Sequence, residues 1–497
     1  MSINKNVIKN GNSISLDNLT VLSPTDFSDK VKNMIGSEYF LSAYFADREK
    51  QNLYAVCSNR ETGLIEIVCG EIADSSFESI TPDVESAHLF EREIFESTGV
   101  EPLNHPCLNP VRFPGDGKFK IGEMPFFKMD GKEIHEVGVG PVHAGVIEPG
   151  HFRFQCHGET VYNLEISLGY QHRGIEKKLL GKPSDLSRFM IETASGDSTV
   201  AHTAAYSQIL ESLTGTTVSP YDNIVRAIGL ELERCASHIG DTGALAGDVG
   251  FLPTQSFCGR IRGDVLNITA LICGNRFGRG LVVPGGIGYP VDDKLNDEIG
   301  VKVSKFLQEY LDASKLMFDN PTIIARFESI GIISQSDTRK LGLVGPPARS
   351  AGIIRDVRLD FPFGYYNFFH IPVSSYDSGS VLGRAFIRWI EVQYSVKFIL
   401  ELLKRLKNLE YKPLKLNFKD GATLNKNMIS VSMVEGWRGE VCHAAMTDSD
   451  GNFKNYKLYD ASFYNWQGLA RALKNQQISD FPICNKSFNL SYCGHDL

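Results

Sequence analysis

The spacing of apolar and polar positions changes several times along the chain, and each change predicts an element. Residues 39–45, 53–57 and 64–69 are short apolar runs divided by polar turns, which reads as three strands. Residues 87–96 follow with helical spacing and are closed by Gly99. The stretch 104–131 carries Pro106, Pro110, Pro114 and Pro125 and reads as a linker. Residues 151–168 alternate as a hairpin with Gly158-Glu159 in its turn, and 160–210 shift toward helix. Two long amphipathic helices are predicted over 222–247 and 381–405. The second keeps Leu382, Ala385, Phe386, Trp389, Val392, Val396, Ile399 and Leu403 on one face. In the tail, strands at 429–433 precede a short helix near 466–473 and an irregular end.

These elements predict an α+β protein. A small N-terminal α/β domain (1–113) is expected, then a linker (114–134). A large domain (135–497) should follow, with a central helical bundle flanked by β-strands. Two glycine-rich stretches, 276–286 and 345–352, lie between helical segments. The string Gly274-Asn-Arg-Phe-Gly-Arg-Gly280 does not match a dinucleotide fingerprint or a phosphate loop, so both stretches read as tight turns.

Composition narrows the function classes. The chain has 42% hydrophobic and 22% charged residues and a net charge of −8, so a nucleic-acid partner lacks electrostatic support. The first residues lack the apolar core of a secretory signal, and no apolar run approaches the length of about 18 residues that suggests a membrane helix. A membrane link is therefore expected through a partner. The ten cysteines include no closely spaced pair, which argues against a disulfide framework, a zinc ribbon or an iron–sulfur cluster held by this chain alone.

Three strings carry a resemblance: Gly140-Pro-Val-His-Ala-Gly-Val-Ile-Glu-Pro-Gly-His-Phe-Arg-Phe154, Leu168-Gly-Tyr-Gln-His-Arg-Gly-Ile-Glu-Lys177 and Glu233-Arg-Cys-Ala-Ser-His-Ile-Gly-Asp-Thr-Gly-Ala-Leu-Ala-Gly-Asp248. In combination they resemble the large subunit of energy-converting, membrane-bound nickel–iron hydrogenases, including that of formate hydrogenlyase. They are more distantly similar to the quinone-facing subunit of respiratory NADH:quinone oxidoreductase. Phe90-Glu-Arg-Glu-Ile-Phe-Glu-Ser-Thr-Gly99 and Asn104-His-Pro-Cys-Leu108 resemble the small subunit fused ahead of it in such proteins.

The resemblance implies four cysteine ligands for nickel and iron, and this chain departs from it at each. Glu192-Thr-Ala-Ser-Gly-Asp-Ser-Thr-Val-Ala-His202 places Ser195 and Ser198 at the first cysteine pair. Ser491 and Gly494 stand at the second. Such metals need anionic, polarisable thiolates; a serine hydroxyl stays protonated and is a hard donor, and glycine has no side chain. Cys493 and His495 lie nearby but make a weak substitute set, so no metal ligands are expected.

Other family positions persist. Glu148 matches a proton-relay glutamate, with a solvated loop carboxylate as the plainer reading. His143 lies on a loop that lines the quinone cavity in the reductases, where a second histidine is replaced near Ile147. Tyr170, His172 and Arg173 form a polar cluster that would serve equally well as structure at a helix start. His202 and Asp197 lie on the segment that replaced the first metal motif. His238, Asp241 and Asp248 share a helix, as a proton chain or as ordinary buried hydrogen bonds. Arg438 and Glu440 match a string that brings an arginine over the metal site, and Arg349, Asp356 and Arg358 also match family positions.

The resemblance implies the large subunit of an ion-translocating oxidoreductase complex, peripheral at the cytoplasmic face of the inner membrane. Expected partners are a small iron–sulfur subunit, carrying the cluster, and ferredoxin-like and antiporter-like membrane subunits. A possible quinone is the one ligand considered for this chain, and hydrogenase activity is not expected. Two alternatives stay open: reduction of a quinone or other acceptor in the same cavity, and a non-redox scaffold.

Overall fold

The computed structural model describes residues 6–115, 120–145, 147–413, 416 and 423–497. It has a mixed architecture, with a central bundle of helices flanked by several β-sheets.

Strands Tyr39–Ala46, Asn52–Asn59 and Leu64–Glu71 pair antiparallel in sequence order, as their apolar runs predict. Helix Pro24–Ile35 covers one face, and Gly70 makes room for it: a Cβ there would lie 2.5 Å from Phe27 Cγ. Tyr39–Ala46 is an edge strand with carbonyls free to pair elsewhere. Its carbonyls at Ser42, Tyr44 and Ala46 accept from Tyr464 Oη, Tyr459 Oη and Asn455 Nδ2 of the C-terminal region. The two-residue period of a strand aims these three carbonyls the same way. Strand Asn12–Ser15 pairs antiparallel with Met428–Gly436. It completes a four-stranded sheet with Gly439–Thr447 and Phe453–Tyr459.

The hairpin predicted over 151–168 is present as His151–His157 and Thr160–Ser167. The first long amphipathic segment forms the central helix Pro220–Asp248. Ser219 caps it by accepting the Asp222 N–H, and Pro220 occupies its first turn. It packs against Leu252–Cys273 and against Val381–Leu406, the second predicted amphipathic helix. Gly243 permits a close crossing, because a Cβ there would lie 2.8 Å from Cys258 Cβ.

Three local expectations are corrected. Residues 345–352 hold a short buried helix, Gly345–Ser350, with prolines in its first turn where a missing N–H costs nothing. The loop 276–286 contains strand Val282–Val283, which pairs with Gly286–Ile287. The tail is ordered to its end by helices Phe481–Phe488 and Tyr492–Asp496, the latter capped by Ser491 accepting from the Gly494 N–H. Among the described residues, no helix is long and apolar enough to cross a membrane.

Candidate functional site

The four positions at which the resemblance implies cysteine ligands, occupied by Ser195, Ser198, Ser491 and Gly494, lie at buried places where two turns meet. One turn precedes helix Thr199–Thr214; the other leads into helix Tyr492–Asp496. Ser195 Oγ donates to Ser491 Oγ at 3.0 Å, and the Gly494 N–H donates to that same oxygen at 2.9 Å. Arg173 holds the turns together: its guanidinium donates to the Thr193 and Ala194 carbonyls on one side and to Cys493 O on the other.

An ion pair lies against this junction. Arg438 grips the Asp197 carboxylate at 2.6 and 2.8 Å, reaches Ser198 Oγ at 3.5 Å, and stacks 3.9 Å over the Trp437 ring. Trp437 Nε1 donates to Asp197 O at 2.8 Å. A Cβ at residue 494 would sit 2.8 Å from Asp460 Cγ. Asp460 is held in place by His202 Nε2 at 2.9 Å, and His202 continues to His443 and Tyr456. Burial pushes the Asp460 carboxyl up, but His202 and then Arg438 outweigh it and hold it at about 2.

Three hydroxyls and a glycine do not fit a nickel–iron group, and among the described residues no cluster of three or more His, Cys, Asp or Glu could hold a metal ion. Cys493 is half-buried beside Ser491, and burial followed by the Glu148 charge pushes its thiol up to about 11. His495 is engaged elsewhere, with Asp496 at 3.0 Å and stacked on Phe463.

The remaining predicted residues divide. Glu148 reaches the same junction, where its Oε2 accepts the Tyr492 N–H at 3.3 Å. His143 closes its own loop, with Nε2 2.9 Å from Gly150 O. His172 Nδ1 lies 2.7 Å from Asp496 O, while Tyr170 has its hydroxyl pushed up by burial. His238, Asp241 and Asp248 share the central helix but have separate surroundings. His238 meets Glu391 at 2.8 Å, Asp241 meets Arg388 at 2.8 Å, and Asp248 is exposed at the helix end.

Beneath the junction lies a buried charge cluster that the sequence only half disclosed. Arg349 bonds Glu391 and Glu435, each at 2.8 Å; Arg358 bonds Asp356 and Glu231; Arg355 bonds Glu440. Arg234 joins Glu231 at 3.1 Å. Burial pushes the Glu391 carboxyl up, but Arg349, His238 and Arg358 together outweigh it and hold it well below the usual carboxylate range. Burial, then Asp356, pushes Glu435 up to about 7. Glu231, Arg234, Glu391 and Glu435 were missed because each reads as one polar residue in an amphipathic pattern. Arg384, Arg388 and Glu391, spaced on one face of an apolar helix, were the available signal.

The helical bundle flanked by sheets, compared with known proteins, is that of a hydrogenase- and NADH-dehydrogenase-like oxidoreductase subunit. The family model described as "Respiratory-chain NADH dehydrogenase, 49 Kd subunit" matches residues 248–496, and the chain belongs to that family. Formate hydrogenlyase subunit 5 of Escherichia coli (strain K12) is 27% identical over 441 residues, 84% of this chain and 76% of that one. The carbon monoxide-induced hydrogenase of Rhodospirillum rubrum is 28% identical over 362 residues, covering 71% and 97% of the two chains. A chain from the structure of the membrane-bound sulfane sulfur reductase, an archaeal respiratory membrane complex, shares the fold. Its TM-score is 0.69 at 20% identity, covering 75% of this chain and 100% of that one.

Proposed function

We propose that the chain is the large core subunit of a membrane-associated, ion-translocating oxidoreductase complex that works without a nickel–iron centre. It would couple electron transfer to proton or sodium movement. The carrying observation is the junction itself: its vacated ligand positions are joined by the Ser195–Ser491 hydrogen bond and bordered by the Arg438–Asp197 pair. Family membership and the kinship to hydrogenase subunits support partner subunits. We assign these as a small iron–sulfur subunit and ferredoxin-like and antiporter-like membrane subunits at the cytoplasmic face. The purified complex is expected to contain iron and no stoichiometric nickel by elemental analysis. One nickel per chain would overturn this reading.

Glu148 is assigned to the proton path because it reaches the C-terminal turn beside Cys493. Glu148→Gln is expected to impair ion-coupled activity while leaving assembly intact, read by transport in reconstituted vesicles and by co-purification. Wild-type transport rates in that variant would remove Glu148 from the mechanism. A second reading, reduction of a quinone or another acceptor, is favoured by a cavity of about 330 Å³ reaching Asp197 and Trp437.

A further inference from the structure

The same cavity has a charge imbalance. It lies between the central helix and helix Leu252–Cys273, bounded by Trp437, Lys486 and Asn489. Its two acids are already engaged. Asp197 is gripped by Arg438; Asp241 pairs with Arg388 at 2.8 Å and accepts from Asn489. The two cations of the wall, Arg262 and Lys486, are half-buried and form no ion pair or side-chain hydrogen bond among the described residues. Lys486 is close enough to lower Asp241 and Asp248, yet pairs with neither. Glu233, in the adjoining cleft with Arg262, instead accepts the Val200 and Ala201 N–H groups. Burial pushes its carboxyl up to about 8, so it is largely uncharged at neutral pH.

Arg262 packs against the central helix. Gly240 lies beneath it, and a Cβ there would be 2.8 Å from Arg262 Cδ and 3.1 Å from Nε, so the side chain lies flat on the central helix. Gly247 accommodates Gln255 in the same way. A planar guanidinium and an ammonium lining one cavity, neither held by a hydrogen bond or ion pair, suit a ligand that offers several oxygens. Ser237 and Gln255 supply neutral hydrogen-bonding groups to the same wall. We propose that this cavity binds a small oxyanion, a carboxylate or a phosphate, between Arg262 and Lys486. The site needs no redox role for the chain, so its failure and the failure of the proposed function are separable.

Thermal unfolding of the purified full chain and of the complex tests this, with sodium malonate or sodium phosphate titrated at ionic strength fixed by sodium chloride. Saturable stabilisation is expected with at least one probe, and which one distinguishes a carboxylate from a phosphate ligand. Arg262→Gln and Lys486→Gln are each expected to weaken apparent affinity about tenfold or more. The bound probe should also protect Lys486 of the unaltered protein from acetylation, read by mass spectrometry, which needs no variant. Stabilisation that follows ionic strength alone, or that persists in both variants, overturns the site. Binding by the isolated chain but not by the complex also overturns it, because a partner's carboxylate would then meet the two cations.

Discussion

Arg349→Ala is expected to destabilise the protein by about 3–5 kcal/mol, the range for breaking a buried ion pair from one side. Arg349 is fully buried, and its guanidinium donates to Glu391 Oε1, Glu435 Oε1 and the Arg355 carbonyl. Its removal leaves the buried Glu391 and Glu435 carboxyls without these donors. Glu391 suffers most, because Arg349 is the largest influence holding it ionised against burial. Arg349→Lys keeps the charge but loses the planar fork, and an intermediate loss is expected. Adding Glu391→Gln to Arg349→Ala should recover part of the deficit, since one uncompensated charge goes with it. Denaturant unfolding monitored by circular dichroism measures all three. An Arg349→Ala midpoint equal to that of the unaltered protein would show that this cluster does not depend on its central cation.

Restoring all four cysteines, by Ser195→Cys, Ser198→Cys, Ser491→Cys and Gly494→Cys, is expected to leave the protein without stoichiometric nickel. The sulfur donors would return, but their surroundings have closed around other contacts. A Cβ at 494 lies 2.8 Å from Asp460 Cγ and 3.0 Å from its Oδ1. Asp460 cannot yield cheaply, because His202 and the Ser462 N–H both hold it. Gly494→Cys alone should therefore cost about 1–3 kcal/mol by overpacking. At the other turn, the Arg438–Asp197 pair lies against Ser198. Metal analysis after reconstitution and a thermal melt of the single variant read the two parts. One nickel per chain in the quadruple variant, or an unshifted melt for Gly494→Cys, would show that the framework still admits a metal centre.

Elements with a strong local period were legible in the sequence. The helices Pro220–Asp248 and Val381–Leu406, the strands Tyr39–Ala46 to Leu64–Glu71 and the hairpin beginning at His151 follow their hydrophobic spacing. The short helices Gly345–Ser350 and Tyr492–Asp496 did not. Each is about a turn long, too short for a period to show, and each is stabilised by buried contacts rather than by propensity. The site was half legible: the family strings located the junction and the missing thiolates. They did not disclose Arg262 and Lys486, whose significance lies in partners they do not have.

The chain's amino-acid order thus determined the alternation of strands and helices, and the absence of sulfur at the expected ligand positions, because both are local properties of residue type and spacing. Tertiary packing decided what filled those positions. Ser195 and Ser491 are 296 residues apart, and only the fold brings their hydroxyls within 3.0 Å. It also decided which buried charge meets which, since a charged residue on an amphipathic helix reads as solvent-facing until an oppositely charged neighbour from another element closes over it.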